Sequence, residues 1–124
     1  MDQVIHTEAS ILSLLAEDRE AGAEAAWATY SGLVWRVCAR RLQNEEDVKE
    51  CVNSTFADFC MHWRQYDPSK GTLRNYICTI ADRKAMELYR KNAARQRAEE
   101  KAIREGIEDV EEARRSGRDV SSAW

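Results

Sequence analysis

Residues 64–97 read RQYDPSKGTLRNYICTIADRKAMELYRKNAARQR, in which a loop, an amphipathic helix and a block of positive charge follow one another. The loop signal runs from Tyr66 to Gly71 and holds the chain's single proline among several turn-forming residues. Thr72 is placed to cap the helix that follows. The apolar residues of that helix recur at three- and four-residue steps and predict one buried face: Leu73, Tyr76, Ile77, Ile80, Ala81 and Leu88.

Positive charge is concentrated in this stretch. It contains nine basic and three acidic residues, a net charge of +6, whereas residues 1–63 sum to −6 and residues 98–124 to −3. A local field of this kind steers charged partners more than the overall charge of the chain does. Tyr66, Tyr76 and Tyr89 stand among the cations, an arrangement that suits a single-stranded nucleic acid. A charged helix face that is simply solvated is the alternative interpretation.

The composition indicates one all-α domain. The 124 residues can build one modest core, and one proline with five glycines leaves few helix breaks. There is no run of 18 apolar residues and no signal-peptide pattern, so we expect no membrane span and a cytoplasmic protein. The four cysteines lack zinc-site spacing and are expected to be small buried apolar residues, so no metal or cofactor is predicted.

Three helices are predicted before the basic stretch, which gives a compact bundle of about four. The first lies within residues 1–18, with Thr7 as its N-cap and Ile5 among its apolar residues, and is followed by a polar turn at 17–22. The second covers residues 22–43, with Trp27 on its apolar face. The third starts after the N-cap Asn44, and its predicted buried stripe is Val48, Cys51, Val52, Thr55, Phe56 and Phe59.

Residues 98–124 are expected to form a charged linker or tail behind a domain that spans residues 1–97. The segment is rich in helix-forming residues, but its large apolar residues are limited to a thin stripe of Ile103, Ile107 and Val110. We expect a solvated helical extension that frays at Gly106 and is disordered beyond Ser116.

Three segments of the chain carry a family resemblance. They read WATYSGLVWRVCARR at 27–41, DVKECVNSTFADFC at 47–60 and YDPSKGTLRNYICTIADR at 66–83, the last followed by Glu87 and Arg90. In this order and spacing they resemble region 2 of bacterial RNA polymerase sigma factors of the sigma-70 superfamily, in particular the extracytoplasmic-function type. The resemblance covers about residues 9–97.

The chain departs from the family pattern at several positions. Asn53 and Ser54 stand where the family usually has a glutamine and an acidic residue, and Arg83 stands where it has asparagine. Cys60 and Tyr76 occupy the family's tryptophan positions. Sigma factors of this type also carry region 4, a helix-turn-helix domain that reads the −35 element, and the residues after 97 are too few for it. We therefore expect a region-2-only protein or a piece of a longer chain.

The resemblance implies two binding surfaces. The acidic helix at 45–60 would dock on the clamp helices of the polymerase β′ subunit, through Asp47, Glu50, Asn53, Ser54 and Asp58. The basic loop and helix would face the −10 promoter element, where the non-template strand is held with one base turned out of the stack. The residues placed near DNA are Tyr66, Lys70, Thr72, Arg74, Asn75, Arg83, Lys84 and Arg90.

Two function classes remain open at this point. One is a transcription initiation factor that binds RNA polymerase core and opens promoter DNA. The other is a small helical regulator that binds polymerase or an anti-sigma factor without opening DNA. An enzyme is not predicted, because His6 and His62 are isolated and no nucleophile–base pair, metal motif or glycine-rich phosphate loop is present.

Overall fold

A computed structural model of the chain describes residues 6–117. It contains four α-helices and two short 3-10 turns. The helices are α1 (Glu8–Glu17), α2 (Arg19–Ala39), α3 (Glu45–His62) and α4 (Leu73–Arg115), and the 3-10 turns Trp63–Gln65 and Pro68–Lys70 lie between α3 and α4. The all-α bundle expected from the composition is therefore confirmed. Ile5 lies outside the described residues, as does the tail after Gly117.

Side-chain caps define where the helices begin. Thr7 and Ser10 form a reciprocal capping box at the start of α1, and Asn44 Oδ1 accepts the backbone N–H groups of Glu46 and Asp47. Thr72 Oγ1 accepts the backbone N–H of Asn75, 3.1 Å away. Each contact satisfies a donor that the first turn of a helix leaves unpaired, so these three predicted caps are confirmed.

Helix α2 starts earlier than predicted. Residues 17–22 were expected to form a turn because they are polar, but α1 and α2 are separated by Asp18 alone. The carboxylate of Asp18 accepts the N–H groups of Glu20 and Ala21 and caps α2. At its other end α2 stops at Ala39, although Leu42 beyond it is still buried.

The core is built from one face of each helix. Ile11 and Leu15 come from α1, and α2 contributes small and branched residues around Val34. The predicted stripe of α3 is buried in full. Helix α4 adds Leu73, Ile77, Ile80, Ala81 and Ala85. Trp27 is an exception to the predicted pattern, because it is 43% exposed.

A pair of buried thiols joins α2, α3 and α4. Cys38 Sγ lies 2.9 Å from Cys51 Sγ, and Cys51 Sγ lies 3.8 Å from the carbonyl oxygen of Ala81. The hydrogen bond to Cys51 and burial raise the pKa of Cys38, so that thiol stays protonated. Cys60 and Cys78 are only half-buried, which corrects the expectation that all four cysteines are buried.

Contacts between Cα atoms divide the chain into a unit that ends at Tyr89 and a second that begins at Arg90. The second unit contains the distal part of α4, where Ile103, Ile107 and Val110 are exposed. The helix runs unbroken through Gly106, so the expected fraying there is wrong. Within residues 6–117, no helix combines the length and apolar character that a membrane span needs.

Two glycines of α2 give a matched test of the packing between α1 and α2. A Cβ on Gly22 would lie 2.5 Å from the backbone nitrogen of Leu15, whereas one on Gly32 would meet nothing within 4 Å. We expect Gly22→Ala to lower the free energy of unfolding by about 1–3 kcal/mol because the helices must move apart. Gly32→Ala should raise it by about 0.5–1 kcal/mol through helix propensity. Urea denaturation measures both, and equal effects of the two substitutions would contradict this close approach.

Candidate functional site

The loop between α3 and α4 is held in one shape by its own polar groups. Asp67 Oδ1 accepts hydrogen bonds from the backbone N–H of Ser69 at 2.9 Å and from its hydroxyl at 2.7 Å. These two bonds lower the pKa of Asp67, which therefore remains a carboxylate. Gly71 has φ 153° and ψ −176°, a conformation that side chains disfavour, and it turns the chain into α4.

This loop and the first turns of α4 enclose a cavity of about 250 Å³, here called the loop cavity. It is smaller than the roughly 300–1,000 Å³ of sites for drug-sized ligands, so it suits a single small ring. Its lining combines aromatic, amide, hydroxyl and cationic groups with one carboxylate: Gln65, Tyr66, Asp67, Lys70, Gly71, Thr72, Asn75, Tyr76 and Thr79. Four of the eight residues predicted to bind DNA thus come together around it.

Two tyrosines form the aromatic wall of the loop cavity. The ring centroids of Tyr66 and Tyr76 are 5.4 Å apart, and Tyr76 also packs edge-on against Phe59 at 6.3 Å. The hydroxyl of Tyr76 donates to the carbonyl oxygen of His62 at 3.1 Å. Burial raises the pKa of both tyrosines, so both hydroxyls stay protonated. Tyr76 was predicted to be buried, and the structure shows it partly buried and lining the cavity as well.

Glu8 of α1 does not line the loop cavity, but it contacts two residues at the ends of the loop. Its Oε1 accepts the backbone N–H of Leu73 at 2.8 Å, which caps α4 with a negative charge. Its Oε2 lies 3.4 Å from the hydroxyl of Tyr66, and that hydroxyl donates a shorter bond of 2.8 Å to the carbonyl oxygen of Gly71. Glu8 therefore ties α1 to both ends of the loop. Sequence reasoning missed it, since it is 65 positions away from Leu73.

Asp58 occupies the edge of α3 that faces α4. Its Oδ2 lies 3.2 Å from Lys84 Nζ and 3.5 Å from a terminal nitrogen of Arg83, and its Oδ1 lies 3.1 Å from Nδ1 of His62. A second cavity, of about 350 Å³, opens beside this cluster and shares Gln65, Tyr76 and Thr79 with the loop cavity. The family resemblance places Asp58 among the polymerase-binding residues of α3, and in the structure it contacts two of the predicted DNA-binding cations.

An apolar groove lies on the other side of α3, between α2 and α3. This α2–α3 groove encloses about 380 Å³ and is lined by Trp27, Ser31, Gly32, Trp35, Lys49, Val52 and Asn53. Trp27 is 43% and Trp35 37% exposed, and Trp27 packs on Phe56 with ring centroids 4.9 Å apart. A neighbouring cavity of about 340 Å³ shares Trp27 and extends along Phe56 to Cys60. Exposed aromatic surface of this kind marks binding sites for other proteins.

The sequence model of the family described as Sigma-70 region 2 matches residues 26–95. The chain belongs to the sigma-70 region 2 family. No curated protein and no solved structure matched the chain. Sigma-70 region 2 is a non-enzymatic domain of transcription factors, and membership supports a general role in transcription initiation with RNA polymerase and promoter DNA.

The sigma-70 region 2 match covers both predicted sets of binding residues but not α1. Glu8 and the capping box of α1 therefore lie outside the part that the family defines. Arg74 is exposed on α4 next to the loop cavity without lining it, and Arg90 belongs to the second unit. Among residues 6–117, no three His, Cys, Asp or Glu side chains are grouped as a metal ion would require.

The role of Glu8 can be tested without any ligand. We expect Glu8→Ala to speed hydrogen exchange of the Leu73 amide and of the loop amides, because α4 loses its carboxylate cap. Glu8→Gln keeps an oxygen acceptor and should restore most of the protection. Exchange followed by NMR, with urea denaturation as a control for global stability, makes the comparison. If Glu8→Ala left these amides as protected as in the parent, Glu8 would not hold the loop.

Proposed function

We propose that this sigma-70 region 2 domain binds the β′ clamp helices of RNA polymerase and captures the non-template strand of the −10 promoter element. The observation that carries the proposal is the loop cavity, which sets two tyrosine rings beside amide, hydroxyl and cationic groups. The proposed place of action is the cytoplasm, where polymerase meets chromosomal DNA.

The chemistry of the loop cavity supports capture of an unstacked base. A base inside a duplex cannot be reached, so a protein that reads its edge needs a cavity for the extruded ring. Tyr66 and Tyr76 offer ring surfaces for stacking, which is worth about 1–3 kcal/mol per base. Asn75 and Thr72 offer hydrogen-bonding groups at the same cavity. Such groups read base edges, whereas phosphate contacts only position the strand.

Cations around the cavity support binding of the strand's phosphates. Lys70 lines the loop cavity, and Arg74 is exposed on the first turn of α4. Within residues 6–117, neither has an ion-pair partner within 4 Å. Their charges are therefore available to phosphate groups, and binding through them should weaken as salt is added.

The α2–α3 groove and the acidic residues of α3 support a protein partner on the other side of the domain. Glu50 and Asn53 are exposed, and Asn53 lines the groove. Lys49 also lines the groove, so the rim formed by residues 49, 50 and 53 carries both signs of charge. An aromatic floor near the exposed carboxylate of Glu50 fits a helix with apolar side chains and flanking cations. In the proposed complex that helix belongs to the β′ clamp. Asp47 and Ser54 are half-buried on α3, and their proposed role is to flank this rim.

The proposed DNA function is tested by binding of labelled oligonucleotides with a −10-like sequence. We expect the parent to prefer the single strand to the duplex. Asn75→Ala or Thr72→Ala should flatten the preference among single-base variants by about 1–3 kcal/mol at one position. Arg74→Ala should weaken all sequences alike and lower the salt slope by about one.

Equal affinity of the parent for single strand and duplex would overturn the proposed strand capture. If Arg74→Ala changed the base preference and the two cavity variants did not, the exposed face of α4 rather than the loop cavity would be the surface that contacts the base edges. Arg74→Ala and Asn75→Ala must keep the thermal unfolding midpoint of the parent. Thr72→Ala removes the cap of α4, so its binding is measured well below its own lowered midpoint.

The proposed polymerase surface is tested by charge reversal. We expect Glu50→Lys to reduce binding to a β′ clamp-helix fragment, because like charges then meet at the rim. Its effect on the free energy of unfolding should stay within about 0.5 kcal/mol, since Glu50 is exposed. The control is Glu108→Lys, the same reversal at an exposed position of the distal part of α4. If both variants bound the fragment as well as the parent does, α3 would not be the docking surface.

A further inference from the structure

Asp58 stands apart from the other acidic residues of the domain because cations of the proposed DNA surface already surround it. Lys84 Nζ is 3.2 Å and Arg83 3.5 Å from the same carboxylate oxygen. Asp58 belongs to α3, whereas Arg83 and Lys84 are neighbours on α4. The contact therefore crosses between two helices that also share the buried core.

The two ion pairs differ in how strongly they hold. The side chains of Asp58 and Lys84 are 18% and 27% exposed, so solvent screens this pair only partly. Arg83 is 57% exposed and its bond is longer, so its pairing is the weaker of the two. Burial alone would raise the pKa of Asp58, but the hydrogen bonds from Lys84 and His62 outweigh it and lower the pKa. Asp58 is thus a carboxylate at neutral pH.

A phosphate that approaches Lys84 must compete with this carboxylate. Lys70 and Arg74, by comparison, have no ion-pair partner in the described part of the chain. Phosphate contacts act on any sequence, and they favour the duplex, which carries one charge per about 1.7 Å of its axis. A domain that recognises a single strand by its bases is therefore more selective when it makes few phosphate contacts.

We propose that Asp58 is a specificity-determining residue of the DNA surface, which holds Lys84 and Arg83 and so suppresses sequence-blind binding to phosphates. The proposal rests on the proposed function for its biological meaning. The physical part, that Asp58 withholds two cations from polyanions, stands on the geometry of the cluster and can be tested separately.

The first test compares Asp58→Asn with Glu87→Gln. Both variants lose one negative charge, but Glu87 is an exposed residue of α4. We expect Asp58→Asn to bind all DNA more tightly at low salt and to lose part of the preference for single strand over duplex. With two more phosphate contacts, its affinity should fall roughly tenfold more than that of the parent between 50 and 200 mM salt. Equal salt slopes for the two variants would overturn the proposal.

A second measurement separates the proposal from the proposed function. We expect Asp58→Asn, but not Glu87→Gln, to elute from immobilised heparin at higher salt, and Lys84→Ala in the Asp58→Asn background to reverse the shift. If these heparin shifts were observed but the parent bound single strand and duplex equally, the proposed strand capture would be rejected. The restraint of Lys84 and Arg83 by Asp58 would still be supported. If heparin elution did not change, Asp58 would not restrain the cations.

A third comparison leaves Asp58 in place, so it can be made even if the Asp58→Asn variant does not fold. In the parent, Lys70→Ala should lower the salt slope for DNA by about one, whereas Lys84→Ala should lower it by clearly less. Equal reductions would show that Lys84 is as available to phosphate as Lys70, and the proposal would be wrong.

Discussion

The packing of α3 between α2 and α4 is the constraint on which both candidate surfaces depend. Its inner stripe from Val48 to Phe59 is buried, and the thiol of Cys51 contacts both Cys38 of α2 and the backbone of α4. A helix fixed in this way has its outward face and its two edges available for contacts. One edge forms the α2–α3 groove, and the other brings Asp58 to Lys84. The acidic residues of α3 are thereby divided between two different tasks.

The loop cavity depends on a second level of support. Asp67, Gly71 and Thr72 shape the loop and start α4 through local hydrogen bonds and backbone conformation. Local bonds alone leave the loop free to move as a unit. Glu8 anchors it to α1, and Phe59 holds Tyr76 against the core. The site is therefore a local turn held by tertiary contacts, which is the arrangement that preorganises a binding site.

Features with a local cause could be predicted from the sequence. Helical periodicity predicted the whole buried stripe of α3, and residue type at the helix starts predicted the caps at Thr7, Asn44 and Thr72. The start of α2 could not be predicted by polarity, because Asp18 serves as a cap within a polar run. Trp27 lies on the apolar face of α2 but is 43% exposed, because the other helices cover only part of that face. Periodicity shows which residues share a face, but not how much of the face is covered.

Contacts between distant positions carry no local signal. No role was predicted for Glu8 from the sequence, and the family resemblance placed Asp58 among the polymerase-binding residues. In the structure Glu8 caps a helix that starts 65 positions away, and Asp58 pairs with residues of the next helix. Charge patterns indicated a basic surface near α4, but not which of its cations are already paired. Only the packing of the helices decides that question.

The central claim is that the loop and the start of α4 form a nucleic-acid surface separate from the α2–α3 groove. Chemical-shift mapping of the amide signals during titration with a single-stranded −10-like oligonucleotide tests it most directly. The predicted result is a set of shifts confined to residues 65–84, with little change at Trp27, Trp35 or Asn53. Shifts concentrated along the groove, with the loop signals unchanged, would contradict the claim.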